Sequence, residues 1–376
     1  MIYKEYKGEH LSALGMGAMR LPTLDGDDAR IDEAATEAMV DRAMAAGVNY
    51  FDTAWGYHAG NSERVMGRAL AKYPRASFYL ADKFPGYDLA NMDKVEEIFE
   101  AQLQKCGVKY FDFYLFHNVC EMNIDAYLDE AHGIFAYLKA QRDKGRIRHL
   151  GFSAHGSRAV MERFLNAYGK DMEFCQIQLN YLDWDFQDAK GKVELLKAWG
   201  IPVWVMEPLR GGKLASLAPA DEQKLRALRP DEDVAAWAFR FLQSLPEVKV
   251  VLSGMSNLEQ LEKNLATFSE DKPLRGEEMD ALLAIAKDMV GKIALPCTAC
   301  HYCVSHCPQG LDIPGLLSLY NEHAFTEGGF IAPMALMAVP EDKRPQACLG
   351  CHSCEAVCPQ GIKISEAMAD FAAKLG

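Results

Sequence analysis

The feature that most constrains this chain of 376 residues is a doubled cysteine pattern in its last third. Cys297, Cys300, Cys303 and Cys307 form one C-x₂-C-x₂-C-x₃-C-P run, closed by Pro308; Cys348, Cys351, Cys354 and Cys358 repeat the spacing, closed by Pro359. Of the eleven cysteines, only Cys106, Cys120 and Cys175 lie elsewhere. A secreted disulfide protein spreads its cysteines through the fold, whereas clustering at two-residue spacing points to metal. The opening stretch, residues 1–10, is charged and has no apolar segment of the secretion-signal kind. No run approaches about 18 consecutive apolar residues, so no membrane span is expected. The expected compartment is the cytoplasm. With 40 basic against 53 acidic residues the net charge is −13, which argues against a nucleic-acid partner.

Zinc also uses C-x₂-C pairs, and eight cysteines could fill two tetrahedral sites. A triple run closed by Cys-Pro, occurring twice, is instead the bacterial-ferredoxin signature of 4Fe–4S clusters, in which the fourth cysteine serves the other cluster. On that signature Cys297, Cys300, Cys303 and Cys358 hold one cluster, and Cys348, Cys351, Cys354 and Cys307 hold the second. The interleaved His301, His306 and His352 are read as solvated or neighbouring groups rather than ligands. The insert between Cys307 and Cys348 is long and includes a helical pattern over 313–325, so the module resembles a helical ferredoxin rather than a compact hairpin one.

From about residue 10 to 270, short apolar runs alternate with amphipathic segments. Strands are expected over 14–19, 50–53, 78–83, 113–117, 149–153, 175–179, 203–206 and 248–252, rich in the residues of strands covered on both faces. Helices are expected over 31–46, 62–72, 92–106, 124–144 and 234–245, several ending at a glycine such as Gly47, Gly107 or Gly145. Eight alternations suggest an α/β fold, a (β/α)₈ TIM barrel, rather than a doubly wound sheet, because no G-x-G-x-x-G follows the first strand. The expected domains are the barrel over 1–275, a linker helix within 276–296, and a mainly helical, ferredoxin-like two-cluster domain over 297–376.

Chemistry in such a barrel sits at the carboxyl ends of the strands. Those ends supply Asp52, Tyr57 in the loop that follows, Lys83 and His117. A tyrosine with a reference pKa of about 10 is a poor acid at neutral pH, and a nearby ammonium is expected to lower it. Asp52 would keep Lys83 charged, and His117 would align a carbonyl oxygen. The set suits protonation of an alkoxide as hydride arrives. Singly, each residue has an ordinary reading as an ion pair, a surface tyrosine or a core histidine; jointly, at successive strand ends, they read as a site. Trp55 and Tyr87 are candidate pocket walls, and Cys106, Cys120 and Cys175 are read as inert buried thiols.

At this point the chain resembles the aldo-keto reductases. The matching words are Phe51-Asp52-Thr53-Ala54-Trp55-Gly56-Tyr57, Gly60-Asn61-Ser62-Glu63, Gly67-Arg68-Ala69-Leu70, Lys83, Tyr114-Leu115-Phe116-His117 and Gly151-Phe152-Ser153. Gln176, Pro208-Leu209 and Ser253-Gly254-Met255-Ser256 follow in order, and the tail extends the likeness to a branch with a C-terminal 4Fe–4S domain. The resemblance implies carbonyl reduction or alcohol oxidation with a nicotinamide cofactor across the barrel mouth. Tyr57 would be the general acid, tuned by Lys83 and Asp52, with His117 orienting the substrate. Arg20, Asp52, Ser153, Gln176, Leu209, Gly211, Gly254, Ser256, Gln260 and Asn264 would contact the cofactor, Ser153 and Gln176 at its carboxamide. Glycines in Arg210-Gly211-Gly212-Lys213 could hold a pyrophosphate or simply make a turn.

Three positions depart from the family. Met206 stands where an aromatic residue usually stacks on nicotinamide, Ala154 replaces an asparagine, and the loop after the last strand lacks the cations that usually grip a 2′-phosphate. NADP is the expected nucleotide on family frequency, with NAD left open. The expected partners are a small carbonyl or alcohol substrate and a redox partner protein, the clusters serving electron transfer. The competing readings are a redox-sensing regulatory subunit and an electron-transfer component whose reductase fold does not turn over.

Overall fold

In the computed structural model, which describes residues 1–292, 294–297 and 299–375, the chain divides into two compact units, Met1–Leu283 and Ala284–Gly376. The division falls inside the helix Glu277–Gly291.

The first unit opens with a two-stranded antiparallel hairpin, β1 (Tyr3–Tyr6) and β2 (Glu9–Ser12), turning at Lys7-Gly8 with both residues at positive φ. Eight parallel strands then close a barrel: β3 (Leu14–Gly17), β4 (Tyr50–Asp52), β5 (Tyr79–Phe84), β6 (Phe111–Val119), β7 (Ile147–Ala154), β8 (Cys175–Gln178), β9 (Val203–Met206) and β10 (Val248–Gly254), with β10 returning to β3. Every expected barrel strand is present; β9 has the expected bounds, and the others differ by about one or two residues at one or both ends. The hairpin went unread, because its strands are short and largely polar.

The barrel interior is filled by side chains. Tyr50, Ala81, Phe113, Leu115, Phe174, Trp204, Val250 and Leu252 pack into one cluster with Tyr6 and Leu11 of the hairpin. Tyr6 meets Trp204 edge-on at 5.0 Å and Phe113 at 6.1 Å, so the hairpin stoppers the amino end of the barrel. Burying Tyr6 and Leu11 is worth about 1.5–3 kcal/mol each. With that end plugged, only the carboxyl end can present a site. Strand alternation puts Asp52, Lys83, His117, Ser153, Gln176 and Met206 on the inward face there; Ser153 pairs in register with Gln176 across β7 and β8.

The helix expected over 124–144 is instead three pieces: Ile124–Leu128, a 3₁₀ turn Glu130–His132, and Ile134–Asp143. Asp129 caps the 3₁₀ turn through its carboxylate, and Gly133 takes φ 66°, a left-handed conformation that interrupts a helix and suits glycine. The helix expected from 92 starts as a 3₁₀ segment, Leu89–Lys94, and becomes α-helical at Val95.

The second unit is mainly helical. Helices Ile313–Thr326, Ile331–Met337 and Ile364–Leu375 pack a small core of Leu311, Ile313, Leu316, Leu317, Ala332, Leu336, Ile362, Ile364, Ala367, Met368 and Phe371, which also takes in Cys303 and Cys354.

Candidate active site and cysteine cradles

Lys83 is fully buried, and its ammonium donates to Asp52 Oδ1 at 2.6 Å and to the Thr53 carbonyl at 2.8 Å. Burial works against that charge, but Asp52 and then Tyr57 outweigh it and hold Lys83 above the ordinary lysine value. Burial raises the Asp52 carboxyl, with Lys83 pulling the other way. The Lys83 Nζ lies 5.1 Å from the centre of the Tyr57 ring. Lys83 does lower the Tyr57 phenol as expected from the sequence, but burial is the larger effect and the net shift is upward. Tyr57 is therefore a protonated phenol across the neutral range, ready to donate.

His117 faces Tyr57 edge-on at 6.2 Å and Tyr87 edge-on at 5.2 Å, and its Nδ1 has no partner among the described residues. Burial, then the charges of Lys83 and His155, push it well below 6.5, so the imidazole is neutral. The four residues read from the strand ends thus converge on one place, with Tyr87 beside them.

His58, which the sequence gave no reason to single out, holds the tyrosine's turn. Its Nε2 accepts from the Leu21 N–H at 3.1 Å and its Nδ1 donates to the Asp28 carbonyl at 2.9 Å, while His58 and Ala59 both sit at φ 53°. Strained backbone of this kind costs about 1–3 kcal/mol per residue and persists where surrounding contacts fix it.

A cavity of about 490 Å³ opens beside this constellation. Asp52, Tyr57 and Gln176 line it, and so do Arg20, Leu209, Gly211, Gly254, Ser256, Gln260 and Asn264. Ser153 does not line it: it is buried, and its Oγ accepts from the Asn118 N–H at 2.8 Å, because the β6–β7 register puts that amide against it. Among the described residues, Gln176 Oε1 and Asp52 Oδ2 are buried without partners, and the Gln176 amide nitrogen donates to the Met206 sulfur at 3.6 Å. Unpaired polar atoms cost stability unless a ligand satisfies them, so this wall suits a carboxamide and hydroxyl-bearing ligand. Gly212, at φ 94°, has open space where a side chain would stand and leaves its backbone open to close approach, whereas Arg20 lies against Gly211 and Gly254. Lys263, Asp233, Glu207 and Glu259, unread from the sequence, also line the cavity. Lys263 lies between the anticipated Gln260 and Asn264 and is a cation one turn beyond the loop that appeared to lack one.

The cysteines gather in two cradles. Cys297, Cys300, Cys303 and Cys358 line one small cavity of about 20 Å³; Cys307, Cys348, Cys351 and Cys354 line another of about 20 Å³, and Ile364 borders both. Burial raises the Cys303 thiol, with Cys297, Cys300 and Cys358 adding to the effect; burial, Glu355, Cys348 and Cys307 push Cys354 up to about 11. Among the described residues no three His, Cys, Asp or Glu side chains converge on a single ion. A cubane gives each thiolate its own iron at a separate corner, so wider sets of four suit it, and each cradle fits. His301 borders the first cavity, His306 the second, and His352 stands 3.1 Å from Glu355. Cys106, Cys120 and Cys175 are buried thiols that burial keeps protonated.

Residues 13–287 match the model of the aldo/keto reductase family, and residues 296–362 match the 4Fe-4S dicluster domain. The barrel, its mouth and these matches define an oxidoreductase of the (β/α)₈ class. The chain belongs to the aldo/keto reductase family and carries a C-terminal 4Fe–4S dicluster domain. It is 24% identical to the L-galactose dehydrogenase of Arabidopsis thaliana over 75% of this chain and 93% of that protein. It is also 24% identical to the NADH-specific methylglyoxal reductase of Escherichia coli, over 69% and 90% respectively. An aldo-keto reductase structure from Bacillus halodurans superposes with TM-score 0.62 at 23% identity, covering 76% of this chain and 96% of that one. No helix among the described residues is long and apolar enough to cross a membrane.

Proposed function

We propose that the barrel mouth reduces a small carbonyl compound, or oxidises the matching alcohol, with NAD(P)H, and that two 4Fe–4S clusters in the C-terminal domain carry single electrons to or from a redox partner protein. The observation that carries the first part is the convergence of Asp52, Lys83, Tyr57 and His117 beside an open cavity that Tyr57 and Asp52 both line. The reading places the protein in the cytoplasm, with the barrel over 1–275 joined through 276–296 to the cluster domain over 297–376.

When bound, the reduced nicotinamide supplies a hydride and the clusters supply one-electron capacity. Tyr57 then delivers the proton that the carbonyl oxygen needs as its charge develops. Lys83, held charged by Asp52, stabilises the phenolate left behind. His117, neutral, offers a hydrogen bond that orients the carbonyl and does not compete as an acid. Gln176 receives the carboxamide through its unpaired Oε1; the glycines at 211, 212 and 254, with Arg20, Leu209, Ser256, Gln260 and Asn264, bind the rest of the nucleotide. Ser153 acts from behind the wall, as a buried support for the β6 end.

Cys297, Cys300, Cys303 and Cys358 hold one cluster, and Cys348, Cys351, Cys354 and Cys307 the other. Cys300 and Cys351 are exposed, which puts an edge of each cluster within reach of a partner. The test of the barrel assignment is Tyr57→Phe. Carbonyl-dependent NAD(P)H oxidation is expected to fall about 10²–10⁴-fold, with nucleotide affinity changed less than about twofold. Equal loss of turnover and affinity would remove Tyr57 as the acid.

A further inference from the structure

The cavity at the barrel mouth is unevenly charged. Its walls carry two cations, Arg20 and Lys263, against four carboxylates, Asp52, Glu207, Asp233 and Glu259. The Arg20 stem lies against Gly254 and its guanidinium is 3.6 Å from Glu207. Lys263 sits in the helix Leu258–Thr267, with Glu259 at 3.0 Å and Asp233 at 3.8 Å, so this group of three carries one net negative charge.

The hydrogen-bond donors of the same segment are also committed. The Ser256 N–H donates to Gln260 Oε1 at 2.8 Å, and the Ser256 hydroxyl donates to the Arg20 carbonyl at 2.9 Å. The Gln260 N–H donates to Asn257 Oδ1 at 2.9 Å. A phosphate needs cations and free N–H groups. This stretch offers carboxylates, a paired ammonium and occupied amides.

We infer that Asp233 and Glu259, by closing Lys263 into their own ion pairs, set this cavity against a 2′-phosphate and select NADH over NADPH. The inference rests on the proposed reading that the mouth takes a nicotinamide dinucleotide with its adenosine end at the loop after β10. The two nucleotides differ at one ribose position. NADH presents a hydroxyl there, which donates to a carboxylate, as acidic residues do for NAD in other dinucleotide sites. NADPH presents a phosphate, which meets two carboxylates before it meets a free cation. All three side chains are partly exposed, so salt screens the repulsion and the preference should narrow at high ionic strength.

Calorimetric titration of the cluster-loaded full chain with NADH and with NADPH tests this without reference to turnover. NADH is expected to bind at least tenfold more tightly, about 1.4 kcal/mol. Asp233 caps the helix Val234–Gln243, its side chain accepting from the Ala235 N–H; in the double variant Asp233→Asn with Glu259→Gln, where asparagine keeps that cap, Lys263 is released. NADPH affinity should then rise about tenfold while NADH moves less than about threefold. Glu259→Lys, at an exposed position, should reverse the preference by itself. NADPH binding as tightly as NADH in the wild type, or no NADPH gain in either variant, overturns the inference while leaving the nicotinamide reading intact. Binding of neither nucleotide overturns that reading and the inference with it.

Discussion

The two units organise their sites in opposite ways. In the barrel the reacting groups are positioned by the protein itself: Lys83 is locked between Asp52 and the Thr53 carbonyl, and His58 pins the turn that carries Tyr57. A closed sheet and an aromatic interior stand behind them. The C-terminal unit has a core of a few helices, and two of its core members, Cys303 and Cys354, are themselves proposed cluster ligands. Where core members are also ligands, folding is coupled to what they bind. On the proposed reading, one site is preorganised by folding, and the other is completed by what it binds.

The sharpest way to break that contrast is to remove the iron. Anaerobic chelation should collapse amide-exchange protection over Ile313–Thr326 and Ile364–Leu375 while β4 to β7 keep theirs, because only the second unit depends on its clusters. Equal loss in both units would erase the distinction; protection retained in the tail would make its core self-sufficient. Within the tail, Cys300→Ser should lower iron from the eight expected for two cubanes to about four per chain. Retention of the full content would contradict the ligand set.

In the barrel, Lys83→Met should be the most damaging single change. It strands the Asp52 carboxylate in a buried position, at a cost of about 3–5 kcal/mol. Burial already raises that carboxyl. Without Lys83 the folded state would bind the proton more tightly than the unfolded chain, so the variant should lose stability as pH rises above the unfolded aspartate value of about 3.9 and regain it as pH falls back towards that value. Denaturant midpoints at two pH values check this; a pH-independent loss would mean packing rather than charge.

The smallest effect expected is an absence of titration. With Tyr57 above 10.0 and His117 well below 6.5, kcat/KM for carbonyl reduction should be flat between those two values. A break inside the window would assign the proton to another group.

The sequence made these two regions legible for different reasons. The cysteine runs are local: their spacing alone names the residues, and the two cradles gather the same two sets of four. The catalytic residues are dispersed from 52 to 117 and become a site only through strand order, so they could be read once the eight alternations had been counted. What escaped depends on tertiary placement. The bond from Asn118 to Ser153 follows from the β6–β7 register. Lys263 lies one turn into a helix, where a reading of the loop did not look for it. The hairpin that plugs the barrel has polar, short strands, and only the Lys7-Gly8 turn marked it. Gly133 was the visible sign that the helix over 124–144 would break.

The central claim is that the barrel mouth transfers hydride to a carbonyl carbon while Tyr57 supplies the proton. It is tested most directly by anaerobic turnover of an aldehyde with NADH deuterated at the transferring position. The account predicts deuterium on the carbinol carbon of the product, with Tyr57→Phe nearly silent. Product that carries solvent hydrogen at that carbon would contradict it, because the electrons would then have arrived singly, by a route other than hydride transfer.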